Sequence, residues 1–588
     1  MNYLSEDYTV LDVETTNKKY GSAQEKDNSL LMAVWTNGNA QGYRIGNEYK
    51  FSDMVQQCED HEFIVAHNAK FELKWLSRMG GDLSKISVWD TMIAEYVIHG
   101  NERVPLDLGS VATRYGFPGK EPYIDLCMKN GVCPSVLPQK LVLQRCNYDV
   151  WVTKEIFLKQ REILRDTGKL GVMMTRCILT PVLADIESNG MFLDSARVEE
   201  AYHIAVKEYE EVTTQLDELT GGINYNSPKQ MAEYLYDVLK FKQLTKRGKV
   251  QTTASGKPMT NAATLAALNP TNKTQRKFCE LIGKRSHYNA ALTKALNKFK
   301  ECCDNNDLLY AQFNQCVTAT HRLSSSGTDY GVQFQNLARA HKPMFTARND
   351  GWLMGEIDGA QLEFRIAAFV GNDARATEDI RNGVDVHSFT AKTITDAGQD
   401  TNRQEAKAHT FKPLFGGTSG TPAEVAYYEA FKKKYAGIAA TQQSWIDEVL
   451  RNKKLRTCTG LEFFWPTTKM QRSGFVTNSQ NICNYPVQSL ATADIIPIAV
   501  YYFWLELRKR NLRSFIVNTI HDSVILEVHP EEIEIIKEIS VDAFTHKVYN
   551  YLDEVYNLDF NVPLGVGIKF AKHWSEGEEI SITVERDI

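Results

Sequence analysis

Residues 351–365 read GWLMGEIDGAQLEFR, and residues 515–528 read FIVNTIHDSVILEV. In the first, an apolar, strand-like run ends in Asp358 and gives way to helix-forming sequence. In the second, two β-rich arms meet around His521-Asp522-Ser523, the pattern of a tight hairpin. An acid at the end of a buried strand is costly unless it is paired or coordinates a cation. Taken singly, each acid reads as a strand-end cap or turn residue. Brought side by side, Asp358 and Asp522 would hold two divalent ions ~3.5–4 Å apart and clamp an in-line phosphoryl displacement.

Between them, residues 403–417 read RQEAKAHTFKPLFGG. Arg403, Lys407, Phe411 and Phe415 recur every fourth residue and on a helix would form one gently drifting stripe. Two cations and two rings make a poor core face; a snorkelling surface helix is the bland alternative. They make a good nucleotide face, with cations on the polyphosphate and a ring against base or sugar. Pro413 would kink or end the helix early, because it lacks an amide donor and clashes with the His409 carbonyl.

The chain has 588 residues and a net charge of −6, with 43% apolar and 24% charged residues, which fits several globular domains and excludes disorder or low complexity. Eleven cysteines, an odd number without a CxxC pair, suit reduced thiols better than a disulfide framework or zinc site. No run of ~18 apolar residues occurs, and Ile495–Leu505, containing Pro497, is too short to span a membrane. The start MNYLSEDY has no leader pattern, so a cytoplasmic protein with no membrane contact is expected. Residues 1–165 read as α/β, with strands at Tyr8–Val13, Ser29–Trp35 and Phe63–Ala66 and a helix at Val150–Ile163. Residues 170–220 read as helical. Six basic residues and no acid lie between Lys240 and Lys257, and eight against the single Glu280 in Thr271–Lys300. Such runs are either a solvated face or a local nucleic-acid patch on a net acidic protein.

These segments, in order, resemble a family A DNA polymerase of the bacterial polymerase I and T7-like phage type, from about residue 8 to 575. DGAQLEFR resembles the family's motif A, RQEAKAHTFKPLFGG motif B and IHDSV motif C. THRLSSS (320–326) with VQFQNLARA resembles a segment facing primer–template, which would place Arg322, Gln335 and Asn336 there. QNICNYPVQSLATADII would bring Asn484 and Gln488 to the template minor groove, and His521 would also lie near DNA. The resemblance implies Mg²⁺, with Mn²⁺ as a substitute, bound in a pair by Asp358, Asp522 and the Gly359 carbonyl. Arg403 and Lys407 would hold the triphosphate of a dNTP, and Lys407 would protonate pyrophosphate. Glu363 would crowd a ribose 2′-OH, Phe411 would lie on the sugar, Phe415 beside the templating base and His387 near the phosphates.

Asp12-Val-Glu14, His67-Asn68-Ala-Lys-Phe71-Glu72 and Asn147-Tyr148-Asp149 resemble the motifs of the family's 3′–5′ exonuclease, four acids that bind two metal ions. Three departures stand out. Glu72 replaces the usual Asp, Arg145 stands where a Tyr usually precedes Asp149 by four residues, and Ser523 replaces the Glu of motif C. Gln480 also replaces an arginine of the family. A ~1 Å misplacement near the chemistry can cost ~10²-fold, so a metal-binding nuclease fold is expected with a reduced proofreading rate. Synthesis is expected to survive, with Ser523 peripheral.

The expected architecture is an α/β multidomain chain: an RNase H-like exonuclease domain (1–165) and a right hand, with thumb 166–330, palm 331–385 and 476–588, and fingers 386–475. The basic stretches fall in the thumb, where NYNSPKQMAEYLYDVL (224–239) would start a helix, and Lys284, Arg285 and Tyr288 would meet duplex phosphates. The compact plan leaves no room for a 5′ nuclease and resembles phage replicative enzymes acting as monomers in an infected host cytoplasm. Helicase, primase or processivity partners are unreadable. The family includes phage enzymes that favour 2-aminoadenine over adenine, a preference nothing in this sequence identifies. Competing readings are a single-subunit RNA polymerase, an exonuclease-dominant protein with an inert polymerase module and a non-catalytic DNA binder. Comparing rNTP with dNTP incorporation, and primer extension with and without Asp522→Ala, separates them.

Overall fold

The computed structural model describes residues 2–36, 41–45, 52–119, 122–243, 245–246, 249–250, 252–253, 256–326 and 332–586. The N-terminal unit is built on a mixed sheet of β1 (Tyr8–Thr15), β2 (Leu30–Thr36), β3 (Gln41–Ile45), β4 (Phe63–Ala66) and β5 (Val88–Asp90). Its order is β3-β2-β1-β4-β5, with β1 antiparallel to β2 and parallel to β4. Central β1 is rich in β-branched residues and buries every side chain except that of Asp12, which is half-buried. Around the sheet lie α1 (Lys70–Arg78), α2 (Thr91–His99) and the 28-residue α3 (Gln139–Asp166), which packs on β1, β2 and β4.

The expected helical run at 170–220 is two helices, α4 (Leu170–Asn189) and α5 (Ser195–Thr220), separated by the short strand Met191–Leu193. The break is at Gly190, whose φ of 65° is favourable only without a side chain. A further helix, α6 (Lys273–Ala291), packs along α5. Part of the basic stretch 240–257 lies outside the described residues.

The C-terminal half surrounds a second sheet, in which β6 (Leu353–Gly359) is followed by α7 (Leu362–Val370), α8 (Val386–Asp396), α9 (Arg403–Thr410), α10 (Ser479–Ser489) and α11 (Ile496–Lys509). The hairpin β7 (Phe515–Ile520) and β8 (Ser523–Val528), then β9 (Leu564–Ala571) and β10 (Ile580–Val584), complete it. All pairings are antiparallel, in the order β7-β8-β6-β9-β10, so β6 is central. The Ile495–Leu505 segment is not a short element. With α10 and a π-helical link it forms a continuous helix, Ser479–Lys509, long and apolar enough to cross a membrane by length and composition, but 78% of that window is buried in the protein. All eleven cysteines are free thiols.

The two halves meet through buried charges. Glu187 of α4, with no exposed side-chain surface, pairs with both Lys70 and Lys74 of α1. Arg176 of α4 donates to Asp494 at 2.7 Å and to the Ala493 carbonyl, both carboxylate and guanidinium being buried. Gly100, after α2, touches the hairpin at residues 454–464, where an added Cβ would run into the Glu462 carbonyl. Beside it the buried His321 stacks on Tyr96 and bonds the Gly100 carbonyl at 3.0 Å.

Removing one member of a desolvated pair leaves the other uncompensated. Arg176→Met is expected to destabilise the protein by about 3–5 kcal/mol, read from the denaturant midpoint of its transition. Arg176→Met combined with Asp494→Leu is expected to recover most of that loss.

Candidate active site

The register of the second sheet brings the two separated acids together. Asp358 lies opposite Ser523 on β8 and Gly567 on β9, and the Gly359 N–H donates to the Asp522 carbonyl at 3.1 Å. The His521-Asp522 turn that closes β7 and β8 holds His521 at φ 58°, a left-handed conformation that few non-glycine residues adopt. Burial first, then the facing Asp522 carboxylate, pushes the Asp358 carboxyl well above the usual range; burial raises Asp522 as well. Two like charges in a desolvated notch resist ionising unless a cation joins them. Hard carboxylate oxygens arranged in this way fit Mg²⁺ or a similar divalent ion.

The sequence suggested that Gln335 faces primer–template, but its amide is turned to the protein. Gln335 is 9% exposed, and its amide is committed to the turn: Nε2 donates to the Thr519 carbonyl at 2.9 Å, and Oε1 accepts the His521 N–H at 3.0 Å. Its neighbour Asn336 is exposed and bonds Gln333. Arg322 donates to His521 Nδ1. Burial, then Arg322, depresses His521 to about 4, so the ring is neutral at physiological pH and carries its proton on Nε2. Glu363, on the first turn of α7, belongs to the same cluster: burial and then Asp522 raise its carboxyl, and Arg322 opposes them.

Two acids missed in the sequence also face Asp358. Glu356 on β6 pairs with Lys342 at 3.6 Å, and Glu579 pairs with Lys569 at 3.1 Å. Glu579 lies over β9, where a Cβ on Gly567 would stand 3.0 Å from its Oε1. The glycines of LGVGIKF were the available signal, since glycine within a strand often marks a close approach. Ser523 is buried, its hydroxyl turned to the Ile520 carbonyl at 2.9 Å.

The stripe at 403–415 is only half helical. Asn402 and Glu405 form a capping box that starts α9, and the helix ends at Thr410 with Phe411 as its C-cap, ahead of Pro413. Arg403 and Lys407 therefore lie on the helix, whereas Phe411 and Phe415 lie in the turns after it, both half-buried. The Lys407 side chain lies outside the described residues. Arg403 is half-exposed, its Nε donating to Asp385 at 2.6 Å. Asp385 also caps α8 through the His387 N–H and accepts from the Ser388 hydroxyl. Against the upward push of burial, the bonds from Arg403 and Ser388 bring Asp385 down to about 2. His387 bonds Thr410 at 2.9 Å and meets the Phe411 ring edge-on at 5.4 Å.

On α10, Asn484 and Gln488 stand one turn apart, and the buried Asn484 Oδ1 has no hydrogen-bond partner. On α6, Lys284 is exposed and paired with Glu280, and Tyr288 is half-buried. Arg285 does not face outward. It is 8% exposed, lies over the rings of Tyr209 and Tyr225 at 5.0 and 4.7 Å, and donates to the Tyr209 hydroxyl. That packing removes it from the residues able to reach a phosphate.

The first sheet holds a second constellation. Ligand atoms of Asp12 and Glu14 on β1 and Asp149 on α3 all lie within 4.8 Å of one another, a spacing that fits a divalent ion. Glu72 on α1 is 4% exposed, and its Oε2 has no partner. Burial and then Asp12 push its carboxyl well up. The Cys146 thiol bonds Asp12 Oδ2 at 3.0 Å. Tyr148 faces away, its hydroxyl donating to the Pro118 carbonyl.

A family model described as DNA polymerase family A matches residues 195–576. DNA polymerase I of Aquifex aeolicus (strain VF5) is 26% identical over 563 residues, covering 90% of this chain and 91% of the relative. DNA polymerase I of Bacillus subtilis (strain 168) is 24% identical over 552 residues, and there the match spans 90% of this chain but 59% of the relative. Among solved structures, the POL domain of Pol1 from M. smegmatis, in complex with DNA primer-template and dNTP, shares the fold with a TM-score of 0.76, 20% identity and 96% coverage of both chains.

In protein stripped of divalent ions, Asp522→Asn is expected to raise thermal stability. Both carboxyls titrate higher folded than unfolded, so the penalty is absent below about pH 4, grows as pH rises from there toward the raised values and is constant above them. Melting curves across pH check the sign, and added Mg²⁺ is expected to stabilise the wild type more than the variant.

Proposed function

The chain belongs to DNA polymerase family A, and on that premise we propose that it extends a primer 3′-OH along a DNA template with dNTPs and excises misplaced nucleotides in its N-terminal domain. The observation that carries the reading is the convergence of Asp358 and Asp522 on one desolvated notch, 164 residues apart in sequence and joined only by the sheet. Asp358 and Asp522 would hold Mg²⁺, which would supply charge that lowers the pKa of the 3′-OH and stabilises departing pyrophosphate. The chain's own residues do the rest. Arg403 and Lys407 hold the triphosphate, with Lys407 giving up a proton to the leaving group. His387 steadies the phosphates, Phe411 the sugar, and Phe415 stacks beside the templating base. Glu363 denies space to a 2′-OH, which favours DNA over RNA synthesis. Asn484 and Gln488 follow the minor groove, while Arg322 and His521 border the primer terminus. Gln335 acts as a positioning residue by fixing the turn that presents Asp522.

In the first sheet, Asp12, Glu14, Glu72 and Asp149 are proposed to hold the ions of a 3′–5′ exonuclease. The unpartnered Glu72 Oε2 supports that assignment, being a buried acceptor with nothing in the protein to satisfy it. The domain division of the sequence reading, 1–165 for the nuclease and 166–330, 331–385 with 476–588, and 386–475 for thumb, palm and fingers, is kept as part of the proposal. The setting proposed is phage genome replication in a host cytoplasm.

Primer extension with Mg²⁺ is expected to fall by roughly 10⁴-fold in Asp522→Ala, with DNA binding retained; unchanged extension would overturn the assignment. Glu363→Ala is expected to raise rNTP incorporation relative to dNTP. On a mismatched primer without dNTPs, Asp149→Ala is expected to abolish shortening while leaving extension of a matched primer intact.

A further inference from the structure

The acid cluster of the first sheet already contains a cation of the chain's own. Arg145 leaves α3 one turn before Asp149, its Nε 2.7 Å from Glu14 Oε1 and 3.8 Å from Asp149 Oδ2. Its Nη1 donates to Asp125, which lies outside the cluster on the helix Tyr123–Lys129. Glu14 and Asp149 are almost wholly buried, at 9% and 6% side-chain exposure, whereas Asp125 is 35% exposed. The guanidinium therefore spans from a desolvated pair of acids to a partly solvated one.

Asp12, Glu14 and Asp149 lie close enough for one ion to share, and Arg145 sits on two of those three residues. An arginine there cannot be relieved of its charge by losing a proton, so it offsets part of the cluster's negative charge at every physiological pH. A divalent ion needs the same oxygens at ~2.0–2.1 Å if it is Mg²⁺. The two cations cannot both be fully satisfied. Asp125 offers the displaced guanidinium somewhere to go without crossing to bulk solvent.

We propose that Arg145 is a resident counter-ion of the nuclease site that competes with divalent metal for Glu14 and Asp149 and yields to it by withdrawing toward Asp125, which its Nη1 already bonds. Excision is thereby set by metal concentration separately from synthesis, whose acids Arg145 does not touch. The inference rests on the nuclease reading above.

The test is Mn²⁺ binding to the full chain without nucleic acid, followed by electron paramagnetic resonance of the free ion. The class of sites lost in Asp149→Asn identifies nuclease-bound Mn²⁺. Arg145→Gln is expected to tighten that class about tenfold, and Asp125→Asn, which removes the alternative partner, to weaken it severalfold. Primer extension unchanged in both variants reports that they fold. Affinity unchanged or weakened in Arg145→Gln would overturn the proposal while leaving the nuclease reading intact. If Asp149→Asn removes no Mn²⁺ class and Arg145→Gln creates none, the nuclease reading falls and the proposal with it.

Discussion

Two carboxylates that repel one another, on Asp358 and Asp522, are held together by the hydrogen-bonded register of β6 against β8. Burial raises both carboxyls and the facing Asp522 raises Asp358 further, while Arg322 and the bond to Asp358 oppose the rise at Asp522. The sheet overrides the repulsion because β6 is its central strand, paired on both sides and packed into the main apolar core. Structure near the notch serves the same end. Gln335 clamps the turn from both ends of its amide, His521 accepts a left-handed backbone, and Arg322 brings positive charge beside them. A folded chain that spends stability on keeping two like charges close is poised for a cation, and the sheet's cohesion supplies what the notch lacks.

The N-terminal unit is joined to this sheet by α4, which carries Arg176 on one side and Glu187 on the other. Both make desolvated ion pairs across segments distant in sequence, to Asp494 and to Lys70 and Lys74. Buried pairs of this kind add little net stability but punish misalignment heavily, since a displaced partner leaves a bare charge in the interior. They specify how the units meet more than how tightly. The stacked Tyr96 and His321 and the close passage at Gly100 add a steric check on the same alignment.

Much of this was legible in the chain. Asp358 and Asp522 could be found because a strand-like run ending in an acid is a local pattern with a known desolvation cost, and Pro413 forecast the end of α9 at Thr410. What stayed hidden depended on partners far away in sequence. The basic run at 271–300 shows Arg285 as one more cation, while the rings that enclose it come from Tyr209 and Tyr225. Glu579 reaches the notch from the last strand pair, with only the Gly567 gap to announce it. The departure at Arg145 is visible in the sequence, but not that its guanidinium lies on Glu14, itself expected with Asp12 as a metal ligand. The segment Ile495–Leu505, with Pro497 inside it, reads in the sequence as too short to span a membrane, whereas a π-helical link joins it to α10 in one helix, Ser479–Lys509.

Asp385 has one carboxylate and two tasks, starting α8 and restraining Arg403. Because the cap bonds from the His387 backbone and the Ser388 hydroxyl do not involve Arg403, the carboxylate stays anchored if the guanidinium departs. An anionic guest at α9 would thus trade places with an anion already there. The bond to Asp385 restrains the arginine before any encounter, so capture becomes a hand-over between oxygens with part of the ordering entropy already lost during folding.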